Sequence, residues 1–206
     1  FTAGASFGTL DGVTLITGLN ESNIGGTGRA VEFMINNSDK NNEYTFNTTN
    51  KFFLNRDMDL SFGLSFKERD YSKSSSYELD RYNFSTGLSY KFQDNLLHFS
   101  KLSYELDDIY VTDSSTASST IIDVQGRTAQ FILENDITYT TLNSNFFTRN
   151  GNFLKFSNTI ESPSSSKNGY IKNTITFRKY LELNKDIASF QAMIGNVFSL
   201  NNTDIL

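Results

Sequence analysis

Residues 81–92 alternate strictly between apolar and polar side chains, and this alternation constrains the fold more than any other feature of the chain. One set of alternate positions is apolar or aromatic apart from one threonine, and the other set is polar apart from one glycine: Tyr82, Phe84, Thr86, Leu88, Tyr90 and Phe92 against Arg81, Asn83, Ser85, Gly87, Ser89 and Lys91. Successive side chains of a β-strand point to opposite faces, so this segment predicts a strand with one apolar and one polar face. The same pattern recurs some ten or eleven times along the chain, separated by short polar turns.

The composition decides which kind of β-protein the pattern describes. Hydrophobic residues make up only 37% of the 206 residues, yet 19 Phe and 10 Tyr are present. A water-soluble sandwich needs a larger aliphatic supply for its dry core, whereas a membrane barrel has an aromatic-rich outer surface and a hydrated interior. We therefore predict an all-β chain that forms an antiparallel, up-and-down transmembrane β-barrel.

Several function classes are disfavoured by the residues that are missing. The chain contains no Cys and a single histidine, His98, so disulfide frameworks, thiolate metal sites and multi-histidine zinc sites are excluded. A net charge of −5 gives no cationic surface for nucleic acid. The Ser-rich segment 114–120 has no base partner that would make it a nucleophile. We expect neither an enzyme nor a bound cofactor.

The alternation places eleven strands, and an odd number is unexpected because bacterial single-chain barrels have even strand counts. We therefore expect residues 1–206 to be one barrel domain that is incomplete, with its closing strands after Leu206. The acidic residues near the predicted strand ends are assigned to loops: Asp70, Glu78, Asp80, Asp107, Asp108 and Asp113. An Asp11-Gly12 pair predicts a tight first hairpin. The strands are predicted at 1–9, 12–22, 29–37, 43–53, 58–70, 81–92, 96–110, 125–141, 152–161, 169–180 and 186–199.

Two segments resemble BamA-type outer-membrane assembly proteins. Residues 1–38 are similar to the first three barrel strands of that family, and the turn Asn23-Ile24-Gly25-Gly26-Thr27-Gly28 stands where the family has a glycine-rich turn into its third strand. Residues 138–157 resemble the family's conserved hairpin. The matching residues there are Tyr139, Asn143, Phe146, Phe147 and Gly151, while Thr148 replaces a proline and the family's carboxylates are missing.

The resemblance implies a function as well as a fold. A member of this family would insert and fold other barrel proteins in the bacterial outer membrane, with the lipid bilayer, unfolded client β-barrel proteins and accessory assembly lipoproteins as partners. The first strand would be a lateral gate that pairs with client strands: Phe1, Thr2, Ala3, Gly4, Ala5, Ser6, Phe7 and Gly8. Soluble periplasmic repeats would precede Phe1. The competing interpretation of residues 1–8 is an ordinary paired strand.

Other interpretations remain open at this point. Gly25, Gly26 and Gly28 superficially match a phosphate-binding loop, but a strand follows them instead of a helix, which favours a tight turn. The charges predicted to face the interior either line a pore or pair with one another: Glu32, Lys67, Arg81, Lys91, Glu134 and Asp136. At the level of function, the rivals are a two-partner-secretion or porin-like channel and a soluble β-rich surface or adhesion protein.

Overall fold

The described residues form a single eleven-stranded antiparallel sheet in which every strand pairs only with its neighbours in sequence. The structure is a computed structural model and describes residues 1–9, 12–144, 146–164 and 168–200. The sheet is open between β1 and β11 in the described residues, so the predicted up-and-down, unclosed arrangement is confirmed. The strands are β1 (Thr2–Gly8), β2 (Gly12–Glu21), β3 (Arg29–Asn37), β4 (Asn41–Asn50), β5 (Met58–Asp70), β6 (Tyr77–Gln93), β7 (Leu96–Val111), β8 (Gly126–Thr140), β9 (Gly151–Glu161), β10 (Tyr170–Leu183) and β11 (Asp186–Ser199).

The predicted strand bounds are close to the observed ones, and the largest difference lies at the start of β6. This strand begins at Tyr77 because residues 77–80 continue the ladder with the end of β7, where Asp80 faces Asp108. The assignment of the acidic residues to loops therefore holds only for Asp113. Glu78 and Asp80 lie in β6, while Asp70 ends β5 and Asp107 and Asp108 lie in β7, inside the bounds 58–70 and 96–110 that the alternation predicts. Residue 11 of the predicted Asp11-Gly12 turn lies outside the described residues.

In the described part of the chain, helical structure is confined to the connections. A four-residue helix, α1 (Ser72–Ser75), joins β5 to β6, and α2 (Ser119–Asp123) lies between β7 and β8, where the Ser118 hydroxyl accepts a hydrogen bond from the Ile121 amide. Among the described residues, no helix has the length and apolar character needed to span a bilayer.

The polar face of the sheet is buried and the apolar face is exposed, which is the reverse of the arrangement in a water-soluble protein. Polar side chains of β7 and β8 are almost fully buried, with Asp107 1% and Ser103 2% exposed. On the other face of the same strands, Leu102 is 45% and Phe131 55% exposed. Since only one sheet is present, this difference is expected when the sheet curves toward its polar face. We call the buried polar side the inner face and the exposed apolar side the outer face.

Aromatic side chains contact one another across neighbouring strands of the outer face. The rings of Phe66 and Tyr82 are 4.6 Å apart between centroids, and those of Tyr104 and Phe131 are 5.1 Å apart. Each pair is directly cross-strand, in the register Phe66↔Tyr82 and Tyr104↔Phe131. Such pairs stabilise a sheet locally without a covering layer, which suits a surface that faces hydrocarbon.

Candidate functional site

The first strand has one free edge. Residues 2–8 pair with β2, from Thr2 opposite Gly18 to Gly8 opposite Gly12, and no other strand of the described residues pairs with β1. Phe1 precedes the strand and is 85% exposed, and Phe7 is exposed as well. With seven residues, β1 is the shortest of the described strands. A short strand with an open row of backbone donors and acceptors can accept another strand.

The glycine-rich turn between β2 and β3 is organised by Asn23. Its side-chain oxygen accepts a hydrogen bond from the Gly28 amide at 2.7 Å, and its backbone carbonyl accepts one from the Gly26 amide at 3.1 Å. The Thr27 hydroxyl donates to the Ile24 carbonyl at 2.7 Å. Gly25, Gly26 and Gly28 all have positive φ, which only glycine adopts at little cost. A strand follows the turn, so the phosphate-loop interpretation has no structural support.

The hairpin between β8 and β9 is organised by another asparagine. The side-chain oxygen of Asn143 accepts hydrogen bonds from the amides of Arg149 and Asn150, at 3.0 and 3.2 Å. The Ser144 hydroxyl accepts from the amides of Phe146 and Phe147, at 3.2 and 3.1 Å. These bonds add to the two backbone bonds of the connection, from the Thr141 amide to the Asn152 carbonyl and from the Asn143 amide to the Asn150 carbonyl.

Two aromatic rings project from this hairpin into solvent. Phe146 is 91% exposed and Phe147 84% exposed. Tyr139 lies apart from them on the outer face of β8, opposite Leu96 and Leu154. Exposed paired aromatics on a fixed turn are a typical protein contact.

Arg149 ties this hairpin to the next turn at the same end of the sheet. Its Nε donates to Glu182 Oε1 at 2.7 Å, and its Nη2 donates to the Asn184 carbonyl at 3.4 Å. Gly151, which opens β9, has φ +121°, and a Cβ there would clash with the Thr141 carbonyl oxygen. The position therefore admits only glycine in this geometry.

A charged network lies on the inner face around Arg81. The guanidinium of Arg81 makes two hydrogen bonds to the Asp107 carboxylate, Nε to Oδ1 at 2.7 Å and Nη2 to Oδ2 at 2.9 Å. The same Nη2 lies 3.5 Å from Glu105 Oε1, which also accepts from Gln130 Nε2 at 3.1 Å. This two-pronged geometry is the strongest form of the arginine–carboxylate pair.

The remaining inner-face charges identified from the sequence are mostly paired. Lys67 lies 3.4 Å from Glu43, Glu134 accepts from Lys101 at 2.8 Å, and Asp136 lies 2.9 Å from Lys155. Glu32 accepts a hydrogen bond from Asn47 at 3.2 Å, and Lys91 contacts Asp94 in the following turn at 2.9 Å. Four of these five residues therefore have a charged partner, as the interpretation of a mutually paired interior predicts, whereas Glu32 is bonded to an amide.

The structure does not bring the candidate residues into one site. The β1 edge lies apart from both turns. The turn at residues 23–28 joins β2 to β3, the hairpin at 141–150 joins β8 to β9, and strands β4 to β7 lie between them. Because all connections from an even to an odd strand leave the same end of an up-and-down sheet, both turns share that end. Sequence reasoning missed the organising roles of Asn23, Ser144 and Arg149. For Asn23 a signal was available in the sequence, because an asparagine at the start of a glycine-rich turn commonly accepts hydrogen bonds from backbone amides of that turn.

These features define a class of protein: a membrane-facing antiparallel sheet with an apolar outer face, a charged inner face and a short first strand. The Omp85 superfamily domain matches residues 23–205, and the chain belongs to that superfamily. This membership places the protein in the bacterial outer membrane and rules out the soluble β-rich alternative.

The fold agrees with a solved member of the family. The crystal structure of BamA from Haemophilus ducreyi lacking POTRA domains 1–3 is similar to this chain with a TM-score of 0.74 and 18% sequence identity. The match covers 98% of this chain and 41% of that one, so the chain spans less than half of that protein. A comparison with curated protein sequences finds no match.

Proposed function

We propose that the protein is an assembly factor that inserts and folds β-barrel proteins in the outer membrane, with the free edge of β1 as the template. The single observation that carries the proposal is that β1, with seven residues, is the shortest described strand of an Omp85-family sheet. An incoming client strand would hydrogen-bond to this edge, and its apolar–polar alternation would set its register. Release would follow when the client closes on itself and leaves no unpaired edge in lipid.

The two turns of the candidate site have a supporting role in this proposal. The exposed rings of Phe146 and Phe147, held by Ser144 and Asn143, present an apolar contact at one end of the sheet. This contact would bind an accessory assembly lipoprotein or the soluble repeats that the family resemblance implies for the full-length protein. Neither partner requires a cofactor.

Site-specific photo-crosslinking tests the template role directly. A photo-reactive residue would replace Thr2, Gly4 or Ser6 in the full-length protein, and a matched control would replace Ser61 on the inner face of central strand β5. During synthesis of a client barrel, we expect crosslinks to the client from the β1 positions and none from the control. Equal crosslinking from both strands, or none from β1, contradicts the proposal.

A transport channel is the second candidate, and the charged inner face favours it. The Arg81 network and the lysine–carboxylate pairs give an interior that can be hydrated. Planar-bilayer recordings on the full-length protein would distinguish the two functions. A stable, substrate-responsive conductance in a protein that fails to insert clients would favour transport over assembly.

A further inference from the structure

The outer face carries an apolar groove that crosses strands β3 to β7. Its volume is about 410 Å³. The rings of Tyr44 and Phe66 are 6.2 Å apart between centroids and those of Phe66 and Tyr82 are 4.6 Å apart, so three neighbouring strands form one aromatic wall. A groove of this kind on a hydrocarbon-facing surface can hold an acyl chain. Its main lining side chains are Tyr44, Phe46, Leu64, Phe66, Tyr82 and Phe84.

A polar depression adjoins the groove at the end of the sheet where β5 turns into β6. Its volume is about 350 Å³, and Glu68 and Asp80 line it. These two residues lie two positions along their strands from Phe66 and Tyr82, so all four share the outer face. An apolar and a charged compartment therefore lie side by side on one surface, an arrangement that fits an amphiphilic ligand.

The carboxylates around this depression lie directly opposite one another. Glu68 faces Asp80, Asp80 faces Asp108, and in the next outward-facing row Asp70 faces Glu78. Opposite side chains have Cβ atoms about 4.5 to 5.5 Å apart, and like charges in such positions destabilise a sheet. Among the ion pairs of the described residues, only one includes any of these five carboxylates, that of Asp108 with an arginine. The row therefore favours a cationic group from outside the sheet.

The same depression also offers positive charge. Lys40 and Arg69 line it beside five carboxylates, so its net charge is negative. Arg69 already donates hydrogen bonds to two neighbouring polar side chains, at 3.1 and 2.9 Å, whereas Lys40 forms no ion pair within the described part of the chain. A head group with an ammonium and a phosphate matches this distribution, because the ammonium meets the carboxylate row and the phosphate meets Lys40.

The position of the depression in the membrane identifies the lipid. The connection at residues 112–125 leaves the same end of the sheet and is the longest between described strands, and outer-membrane barrels carry their longer loops on the extracellular side. The lipid there is the lipopolysaccharide of the outer leaflet, whose phosphates a carboxylate row repels. Within the described residues, no group of three or more acidic side chains is placed to hold a metal ion, which favours an ammonium over a bridging divalent cation.

We propose that the groove and the depression together bind a lipopolysaccharide whose lipid A carries a primary amine beside its phosphate. An acyl chain lies in the groove, and the ammonium lies between Glu68 and Asp80, beside the rings of Phe66 and Tyr82, where cation–π attraction adds to the charge. The inference is independent of whether the protein assembles clients or transports them.

Native mass spectrometry of the full-length protein tests the preference for the amine. The protein would be incubated with equal amounts of unmodified lipid A and lipid A carrying phosphoethanolamine, in the presence of a metal chelator. We expect the amine-bearing lipid to be retained roughly fivefold or more in excess, as two exposed ion pairs imply. Equal retention overturns the proposal, as does a preference for unmodified lipid A once magnesium is added, which would assign the site to a metal bridge.

A matched pair of double variants tests the carboxylate row. Glu68→Gln combined with Asp80→Asn keeps the side-chain size and relieves the repulsion between the two residues, so the protein is expected to fold, and the preference for the amine should be lost. Asp57→Asn combined with Asp186→Asn makes the same change of charge at the opposite end of the sheet and should keep the preference. A preference that persists in the first double variant contradicts the proposal.

Filling the groove tests its apolar half. Leu64→Trp is expected to lower the retention of both lipids, because the larger ring occupies the space of the acyl chain. Leu133→Trp on the outer face of β8, outside the groove, is the control and should retain both lipids. Only protein that runs as the folded form on unheated gels would be compared, and unchanged retention in Leu64→Trp contradicts the proposal.

Discussion

At the scale of single residues, the inner face depends on a few well-oriented ion pairs. Asp107 is the most buried large side chain of the described residues, and its carboxylate meets both prongs of Arg81. Burying a carboxylate without such a partner costs several kcal/mol, on the order of 3 to 5 when one member of a buried pair is removed. The ion pair of Arg127 and Asp108 joins the neighbouring strands β7 and β8, but it is largely exposed and is expected to contribute little to stability.

Arg81→Leu is therefore expected to destabilise the protein strongly, because it removes the guanidinium that contacts the adjacent carboxylates of Asp107 and Glu105. The loss should be about 3 kcal/mol or more in the free energy of unfolding, measured by urea titration of the full-length protein in vesicles. Arg127→Leu is the control, since Arg127 is paired with Asp108 at 3.2 Å but largely exposed, and should cost about 0 to 1 kcal/mol. Equal losses of unfolding free energy in the two variants would contradict a special stabilising role for the pair of Arg81 and Asp107.

Gly151→Ala is expected to disrupt the start of β9, because the added Cβ meets the Thr141 carbonyl and the backbone φ is +121°. Strain at such a conformation is about 1 to 3 kcal/mol before the steric contact is counted. Gly18→Ala is the control, since a Cβ there lies 3.5 Å or more from its nearest neighbours and the backbone is ordinary. Heat-induced loss of the folded form on gels would compare the two, and equal unfolding temperatures would contradict the geometry.

At the scale of elements, the alternation of apolar and polar residues determines where the strands lie, whereas individual polar side chains determine the conformation of the turns. The hairpin at 141–150 has few ladder bonds and relies on Asn143, Ser144 and the Arg149 contacts to β10 and the turn after it. Connections of this kind open locally more readily than the sheet that carries them.

Asn143→Ala should release the hairpin, because the amides of Arg149 and Asn150 lose their acceptor, at a cost of about 1 to 2 kcal/mol. Limited trypsin digestion, which cleaves after Arg149, should then become faster by roughly 5- to 30-fold, the population change that this free energy implies. Asn143→Asp keeps the acceptor oxygen and is expected to retain the wild-type rate. Fast cleavage of both variants, or of neither, would rule out this acceptor role.

The strands could be predicted from the sequence because their alternation is a direct consequence of the two faces of the sheet. All eleven were expected, and their positions differ from the observed ones by a few residues. The network around Asp107 could not be predicted. Asp107 and Asp108 stand in a polar segment near a strand end, and only the register with Arg81 and Arg127 shows which carboxylate is buried. The hydrogen-bonded asparagines of β9, β10 and β11, which are Asn158, Asn173 and Asn196, were missed for the same reason, since they are apart in sequence and meet only in the sheet.

At the scale of the whole molecule, each face of the sheet carries the kind of side chain that its surroundings favour. Contact with hydrocarbon explains why leucines and aromatic rings are exposed on the outer face. Contact with water explains why charged and amide side chains line the inner face. Membership in the Omp85 superfamily and the shared fold with a BamA structure agree with this orientation.

Leu64→Arg and Ser65→Arg test the orientation with adjacent residues of β5. Leu64 lies on the outer face between Phe46 and Phe84, and Ser65 lies on the inner face between Thr45 and Asn83. An arginine facing the middle of the bilayer costs about 2 to 4 kcal/mol, whereas an interior substitution is tolerated. The level of folded full-length protein in outer membranes should fall in Leu64→Arg and stay near wild type in Ser65→Arg, and the reverse order would invert the assignment of faces.

Spin-label accessibility along β5 is the most direct test of the central claim that the apolar face meets lipid and the polar face meets water. The 206 residues contain no cysteine, so single labels can be placed at Ser61, Phe62, Leu64 and Ser65 of the protein in vesicles without background within them. Labels at Phe62 and Leu64 should collide mainly with oxygen dissolved in the bilayer, and labels at Ser61 and Ser65 with a water-soluble nickel complex. Accessibility that does not alternate, or that alternates in the opposite phase, would contradict the account.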